Sequence, residues 1–141
     1  MKKYLLCSLL SALFLALSIT GALAGGGINY KVKVKNPTEH YADVRVNYPT
    51  LSGCDYKRIA SLAPGETQTL EFGANCPSSI YGYIGVSNGW VTIRNMGMSA
   101  ISTLADNSCG GASCSNHDLK ICRKSGSGSN AKDHDYGFCT D

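Results

Sequence analysis

Two His-Asp pairs, His117-Asp118 and His134-Asp135, are the most direct candidates for chemistry in this 141-residue chain. Imidazole and carboxylate together can ligate zinc or another divalent cation. The pairs flank a segment that reads as a hairpin centred near Asn130, and in that register His117 lies beyond the end of the opposite strand. They are therefore expected as exposed turn residues, with no metal and no cofactor. His40, His117 or His134 could activate a cysteine thiolate, but the cysteines left after export are expected to be paired. There is no Gly-x-Ser-x-Gly elbow, no His-Glu-x-x-His and no phosphate-cradling glycine loop; Gly25-Gly26-Gly27 follows no strand. Carboxylates for glycoside hydrolysis could come from Glu39, Asp43, Glu66 and Glu71, yet no spacing selects two of them. The expectation is a protein with no catalytic residues.

Aromatic side chains are the remaining group. Tyr81 and Tyr83 share one face of a strand and Trp90 follows just after a tight turn. Aromatics arrayed on a sheet can hold a sugar or a protein partner. The same three residues could instead pack beneath the Gly-Ser-Cys-rich tail. Tyr81, Tyr83 and Trp90 are the candidate binding surface.

The first 24 residues have the layout of a secretory signal peptide: Lys2 and Lys3, an apolar run from Tyr4 to Ile19, and Ala22-Leu23-Ala24 as a small-x-small cleavage site. The alternative is an uncleaved anchor, although the run falls just short of the ~20 apolar residues a spanning helix needs. The mature chain from Gly25 to Asp141 is then one domain, secreted or periplasmic, with no membrane span. It keeps Cys54, Cys76, Cys109, Cys114, Cys122 and Cys139, an even set that in a short exported chain reads as three disulfides. Of 13 basic residues Lys2 and Lys3 leave with the peptide, against 10 acidic ones that stay. The near-neutral balance gives no electrostatic case for nucleic acid.

The strands that must position these groups follow from period-2 alternation. Ile28 to Lys35 puts Ile28, Tyr30, Val32 and Val34 on one face and a lysine row on the other, as expected of an edge strand that resists association. Ala42, Val44, Val46 and Tyr48 continue the pattern, and a turn near Thr38 pairs this strand with the first. Cys54 to Cys76 reads as a hairpin turning at Ala63-Pro64-Gly65-Glu66-Thr67, with Tyr56, Ala60, Leu62, Leu70 and Phe72 packed. That register sets Cys54 opposite Cys76 and predicts a bond between them. Ile80 to Ser87 and Trp90 to Asn95 are two further strands joined by Asn88-Gly89. Gly82 and Gly85 interrupt the first of these, which suggests a bulge or a close backbone approach. Met96 to Leu104 has no clear period, and Ser125 to Asn130 reads as flexible. His117 to Arg123 and Tyr136 to Cys139 read as strands whose hairpin opposes Cys122 to Cys139. That leaves Cys109 with Cys114, one of three possible connectivities.

Six to eight short strands at regular spacing, with Pro and Gly at the turns, point to an all-β sandwich. The expected parts are a main sandwich over 28–95 and a disulfide-rich C-terminal extension over 106–141. The runs Lys31-Val32-Lys33-Val34-Lys35-Asn36, Ala42-Asp43-Val44-Arg45-Val46 and Ile59 through Thr67, with Leu70 and Phe72, resemble bacterial immunoglobulin-like modules of the cell-adhesion-related type. The resemblance covers 28–73, under half of the mature chain, and rests on turn and core positions. The resemblance implies an immunoglobulin-like antiparallel β-sandwich of about seven strands, used outside the cell for spacing, adhesion or binding. The resulting expectation is a secreted, non-catalytic binding or interaction module whose partner is an extracellular protein or glycan. Alternatives are a membrane-active β-sandwich protein using the aromatics, and an enzyme inhibitor presenting the segment Cys109 to Cys122.

Overall fold

The computed structural model of the chain describes residues 27–99, 109–124 and 131–141. The leader read as a signal peptide, residues 100–104 of the aperiodic stretch and Ser125 to Asn130 lie outside them. Eight strands are present among the described residues: β1 (Lys31–Lys35), β2 (Ala42–Thr50), β3 (Gly53–Leu62), β4 (Thr67–Glu71), β5 (Ser79–Val86), β6 (Gly89–Gly97), β7 (His117–Arg123) and β8 (Tyr136–Thr140). They form a single mixed sheet in the order β3-β2-β5-β6-β8-β7-β1-β4. β1 runs parallel to β7 and β6 parallel to β8, while the other pairs are antiparallel. The sheet rolls nearly into a barrel, so that its end strands β3 and β4 meet. There Lys57 Nζ, lying 5.6 Å from the Phe72 ring centroid, donates to the carbonyl of Glu71 at 2.5 Å.

Alternation carries the core. Val32 and Val34 of β1, Val44 and Val46 of β2, Ile80 and Ile84 of β5, and Leu119 and Ile121 of β7 are buried against one another inside the roll. Each contributes roughly 1.5 to 3 kcal/mol relative to an exposed side chain. β7 and β8 fill the gap between β6 and β1, so the C-terminal segment is part of this core.

The expected neighbours differ from the observed ones. β1 and β2 form no hairpin: β1 lies between β7 and β4, and β2 between β3 and β5. The lysine row is thus on an interior strand, and two of its members are paired, Lys31 with Glu71 at 2.8 Å and Lys33 with Asp118 at 2.9 Å. Nor do β3 and β4 form a ladder, because their turn is held to the end of β1. Asn36 donates its backbone N–H to the Glu66 carbonyl at 2.8 Å and accepts from the Gly65 N–H at 2.7 Å. β4 therefore continues along β1, with Lys31 opposite Glu71 and Lys35 opposite Thr67.

The Cys54–Cys76 bond is overturned with that hairpin, and a Cys109–Cys114 bond with it. Cys54 is bonded to Cys109 (Cα–Cα 5.5 Å) and Cys76 to Cys114 (4.5 Å). A bulge contributes to the change. The β2–β3 register slips between Ala42/Leu62 and Val44/Ile59, with Ser61 at φ 56°, and one extra residue sends every preceding side chain to the other face. Tyr56 and Ala60 are accordingly exposed rather than packed, and Ile59 is buried. Cys122 is bonded to Cys139 as expected (Cα–Cα 6.0 Å). Their register is displaced, with Cys122 opposite Gly137 and Lys120 opposite Cys139. Three internal disulfides belong to an oxidising environment.

Candidate functional site

The outer face of β3, β2, β5 and β6 gathers the exposed aromatics. With Ala42, Val44 and Val46 directed inward, Tyr41, Asp43 and Arg45 fall on the outside. Asp43 stands opposite Tyr83 and Arg45 opposite Tyr81 on β5. On β3, Arg58 is opposite Arg45 and Tyr56 opposite Asn47. On β6, Thr92 is opposite Tyr83 and Trp90 opposite Gly85.

The three aromatics singled out in the sequence divide here. Tyr81 is 4% exposed, whereas Tyr83 is 37% and Trp90 60% exposed. The Arg45 guanidinium carbon is 6.0 Å from the Tyr81 ring centroid and 5.2 Å from that of Tyr56, within the range of a cation–π contact. Tyr81 is thus a packing residue on this face. Tyr83 and Trp90 remain accessible, and Tyr41 joins them at 56% exposure.

Gly85 explains how Trp90 is seated. A Cβ on Gly85 would stand 3.6 Å from indole Cη2 and 3.7 Å from Cζ2, so the six-membered ring rests where Gly85 has no side chain. The Gly85 N–H donates to the Tyr41 carbonyl at 2.8 Å, which fixes Tyr41 beside the same glycine. Gly82 serves another purpose. It lies at the β5–β6 register shift, and a Cβ there would run into the carbonyl oxygen of Asp43. The bulge and the close approach suggested by these glycines are both present.

Two arginines converge on Asp43 on this face. Its carboxylate accepts from Arg58 Nε at 3.0 and 2.8 Å and from Arg58 Nη2, while Arg45 Nε is 3.7 Å away. This planar fork borders Tyr83 with polar groups fixed in orientation. Sequence reasoning missed Tyr41, Asp43, Arg45 and Arg58 as parts of the face. The alternation through Ala42, Val44 and Val46 was the signal that could have placed three of them.

The His-Asp pairs are elsewhere. His117 opens β7, with Nε2 3.2 Å from Ser115 Oγ, and Asp118 binds Lys33. His134 adopts φ 68° before β8, and its backbone N–H donates to the Thr92 carbonyl at 2.9 Å. Among the described residues no three His, Cys, Asp or Glu side chains are grouped as metal ligands would be.

Together these features define a disulfide-linked all-β domain that presents aromatics and paired charges on the outside of one rolled sheet. The chain matches no protein-family model, no curated protein and no solved structure.

Proposed function

We propose that this protein is a secreted, non-catalytic binding module whose contact surface surrounds Trp90, Tyr83 and Tyr41 and whose partner is an extracellular protein or glycan. The observation that carries the reading is the exposure of these three rings on one sheet face, with Trp90 held over Gly85. Aromatic side chains offer a large contact area for the loss of only two torsions, and they are enriched where proteins meet partners. Export is supported by the signal-like leader and by three disulfides, which suit an extracellular or periplasmic site. We group the fold with immunoglobulin-like sandwiches, its layers being β3-β2-β5-β6 and β8-β7-β1-β4. The narrow junction between the layers supports this, since β6 and β8 share only the pairs Ile93/Tyr136 and Arg94/Gly137.

Binding of the mature protein to arrayed extracellular glycans and matrix proteins tests the proposal, with Trp90→Ala and Tyr83→Ser alongside. The expected result is loss of the recognised partner with less than about 1 kcal/mol lost in stability, as for an exposed side chain. Unfolding of both variants would instead assign these rings to packing. Flotation with liposomes and no array binding would favour a membrane-active protein, and turnover on a hydrolase panel would contradict a non-catalytic module.

A further inference from the structure

The outer face of β7 and β8 carries a disulfide with a cation on one of its sulfurs. Burial of Leu119, Ile121, Tyr136 and Phe138 inside the roll leaves Cys122 and Cys139 on the outside. Lys124 Nζ lies 3.1 Å from Cys139 Sγ, within donating distance. Two features hold it there. The Lys124 N–H donates to the Asp135 carbonyl at 2.7 Å, which keeps the residue alongside the start of β8. Its stem passes over Gly137, where a Cβ would stand 3.0 Å from Lys124 Cε and 3.2 Å from Cγ. Glycine thus leaves open the path by which the ammonium reaches the sulfur.

A disulfide sulfur is a weak acceptor, and the ammonium gains far more from the thiolate that replaces it on reduction. The other sulfur has a complementary setting. Cys122 Sγ is 3.5 Å from the Gly137 carbonyl oxygen, an acceptor that suits a protonated thiol. The surroundings therefore match a reduced pair holding one proton, on Cys122. A sulfur whose thiolate is stabilised is the better leaving group, so an incoming thiolate is directed to Cys122. That cysteine also lines a cleft of about 600 Å³ between β7 and the β1–β2 connection, with Thr38 and His40 on the far side, which gives a thiol room to approach.

The fold can open this bond without coming apart. β7 and β8 remain paired along the ladder from Leu119/Thr140 to Arg123/Tyr136, over the buried side chains beneath it. Exposure alone would favour the other bonds, since Cys54 and Cys114 are exposed while Cys122 and Cys139 are half-buried. Charge and exposure thus predict opposite orders of reaction.

We propose that Cys122–Cys139 is a thiol–disulfide exchange site that accepts two electrons from a dithiol. A thiolate of the donor attacks Cys122 Sγ and forms a mixed disulfide as the Cys122–Cys139 bond breaks, and Cys139 leaves as a thiolate beside Lys124. The donor's second sulfur then attacks its first, closing the donor's own disulfide and releasing Cys122, which takes the proton that the second thiol gives up. The donor is oxidised by two electrons and the cysteine pair is reduced by two. The site does not depend on the aromatic face.

The test is incubation of the folded mature protein at neutral pH with graded ratios of reduced to oxidised dithiothreitol, followed by acid quench, alkylation and mass mapping. Cys122 and Cys139 should be alkylated together while Cys54–Cys109 and Cys76–Cys114 stay bonded, and the circular dichroism of the sheet should not change. Brief treatment with glutathione should place the adduct on Cys122 and not on Cys139. Lys124→Gln should slow the exchange at least about threefold, the scale for a leaving thiol made about one pKa unit less acidic, and Lys124→Arg less. Reduction of either other bond first, reduction of all three together, or glutathione on Cys139 would overturn the proposal, and none of these needs a variant. So would a folded Lys124→Gln protein that exchanges as fast as the parent.

Discussion

Cys54 on β3 is bonded to Cys109, 55 residues further along the chain. It fastens the segment that leads into β7 onto the strand at one margin of the sheet, and Cys76–Cys114 ties the same segment to the connection between β4 and β5. Chain-entropy reasoning gives about 4 kcal/mol for a loop of this length. Replacing Cys54 and Cys109 together by Ala should therefore lower Tm by about 15 °C, at about 4 °C per kcal/mol for a domain of this size. Mass mapping of non-reduced peptides should show Cys54 linked to Cys109, Cys76 to Cys114 and Cys122 to Cys139. A Cys54–Cys76 peptide would contradict the observed strand order.

Gly82 and Gly85 sit three residues apart on β5 and should answer substitution differently. A methyl group at Gly82 meets the Asp43 carbonyl oxygen and the β2 backbone, neither of which can move aside. Gly82→Ala should cost about 3 kcal/mol or more. At Gly85 the nearest atoms are 3.6 Å away, ordinary contact distance, so Gly85→Ala should stay within about 1 kcal/mol of the parent. Urea midpoints of the two variants decide this, and equal losses would show that the β2–β5 approach is looser than described.

These positions also show what could be read from sequence. Alternation located β1, β2 and β5 to within a few residues, and β7 at its observed bounds, because burying one face of a strand imposes a period of two wherever the strand lies. Pairing was not legible, since the same period fits any partner. Val32 and Val34 suit a hairpin with β2 as well as the observed places beside β4 and β7. The deciding contacts, such as Asn36 with Gly65 and Glu66, are long-range and carry no local signature. The face of Tyr56 was misread for a related reason: the irregularity near Ser61 reverses the inward set, and serine gives no warning of a positive φ. At the candidate surface, composition identified Trp90 and Tyr83, but the loss of Tyr81 to packing depends on Arg45 across the sheet.

Asn36 organises both the β3–β4 turn and the connection between β1 and β2. Asn36→Ala removes the two side-chain donors and leaves the carbonyls of His40 and Leu62 without them. The expected cost is about 2 to 3 kcal/mol, the scale for buried groups left unsatisfied. Asn36→Asp keeps the acceptor for Thr38 but loses both donors and buries a charge beside two carbonyls, so it should be the less stable of the two. Denaturant unfolding gives the order, and an Asp variant at least as stable as the Ala variant would show that Asn36 is wetter than its full burial indicates.

Stability should fall in two stages as the medium is acidified. Burial holds the His117 imidazole below its ordinary pKa, opposed by a weaker backbone contribution from Ser113. The unfolded chain therefore takes up a proton first, and stability present above about pH 6.5 is lost as pH drops further. The carboxylates form the second stage. Glu66 is held below its usual range by the Ala63 N–H at 2.8 Å and then by Gln68 at 2.6 Å. Glu71 is lowered chiefly by Lys31, and Asp133 by the Thr92 N–H at 2.7 Å. Each folded pKa lies under its unfolded value, so their contribution is complete above about pH 4.3 and disappears as pH falls through the folded values. Tm measured against pH should show both limbs. His117→Gln should flatten the upper one, and Glu66→Gln should soften the lower one while leaving the upper one intact. A parent protein whose Tm does not change between about pH 7 and pH 5 would show that His117 ionises as freely when folded as when unfolded.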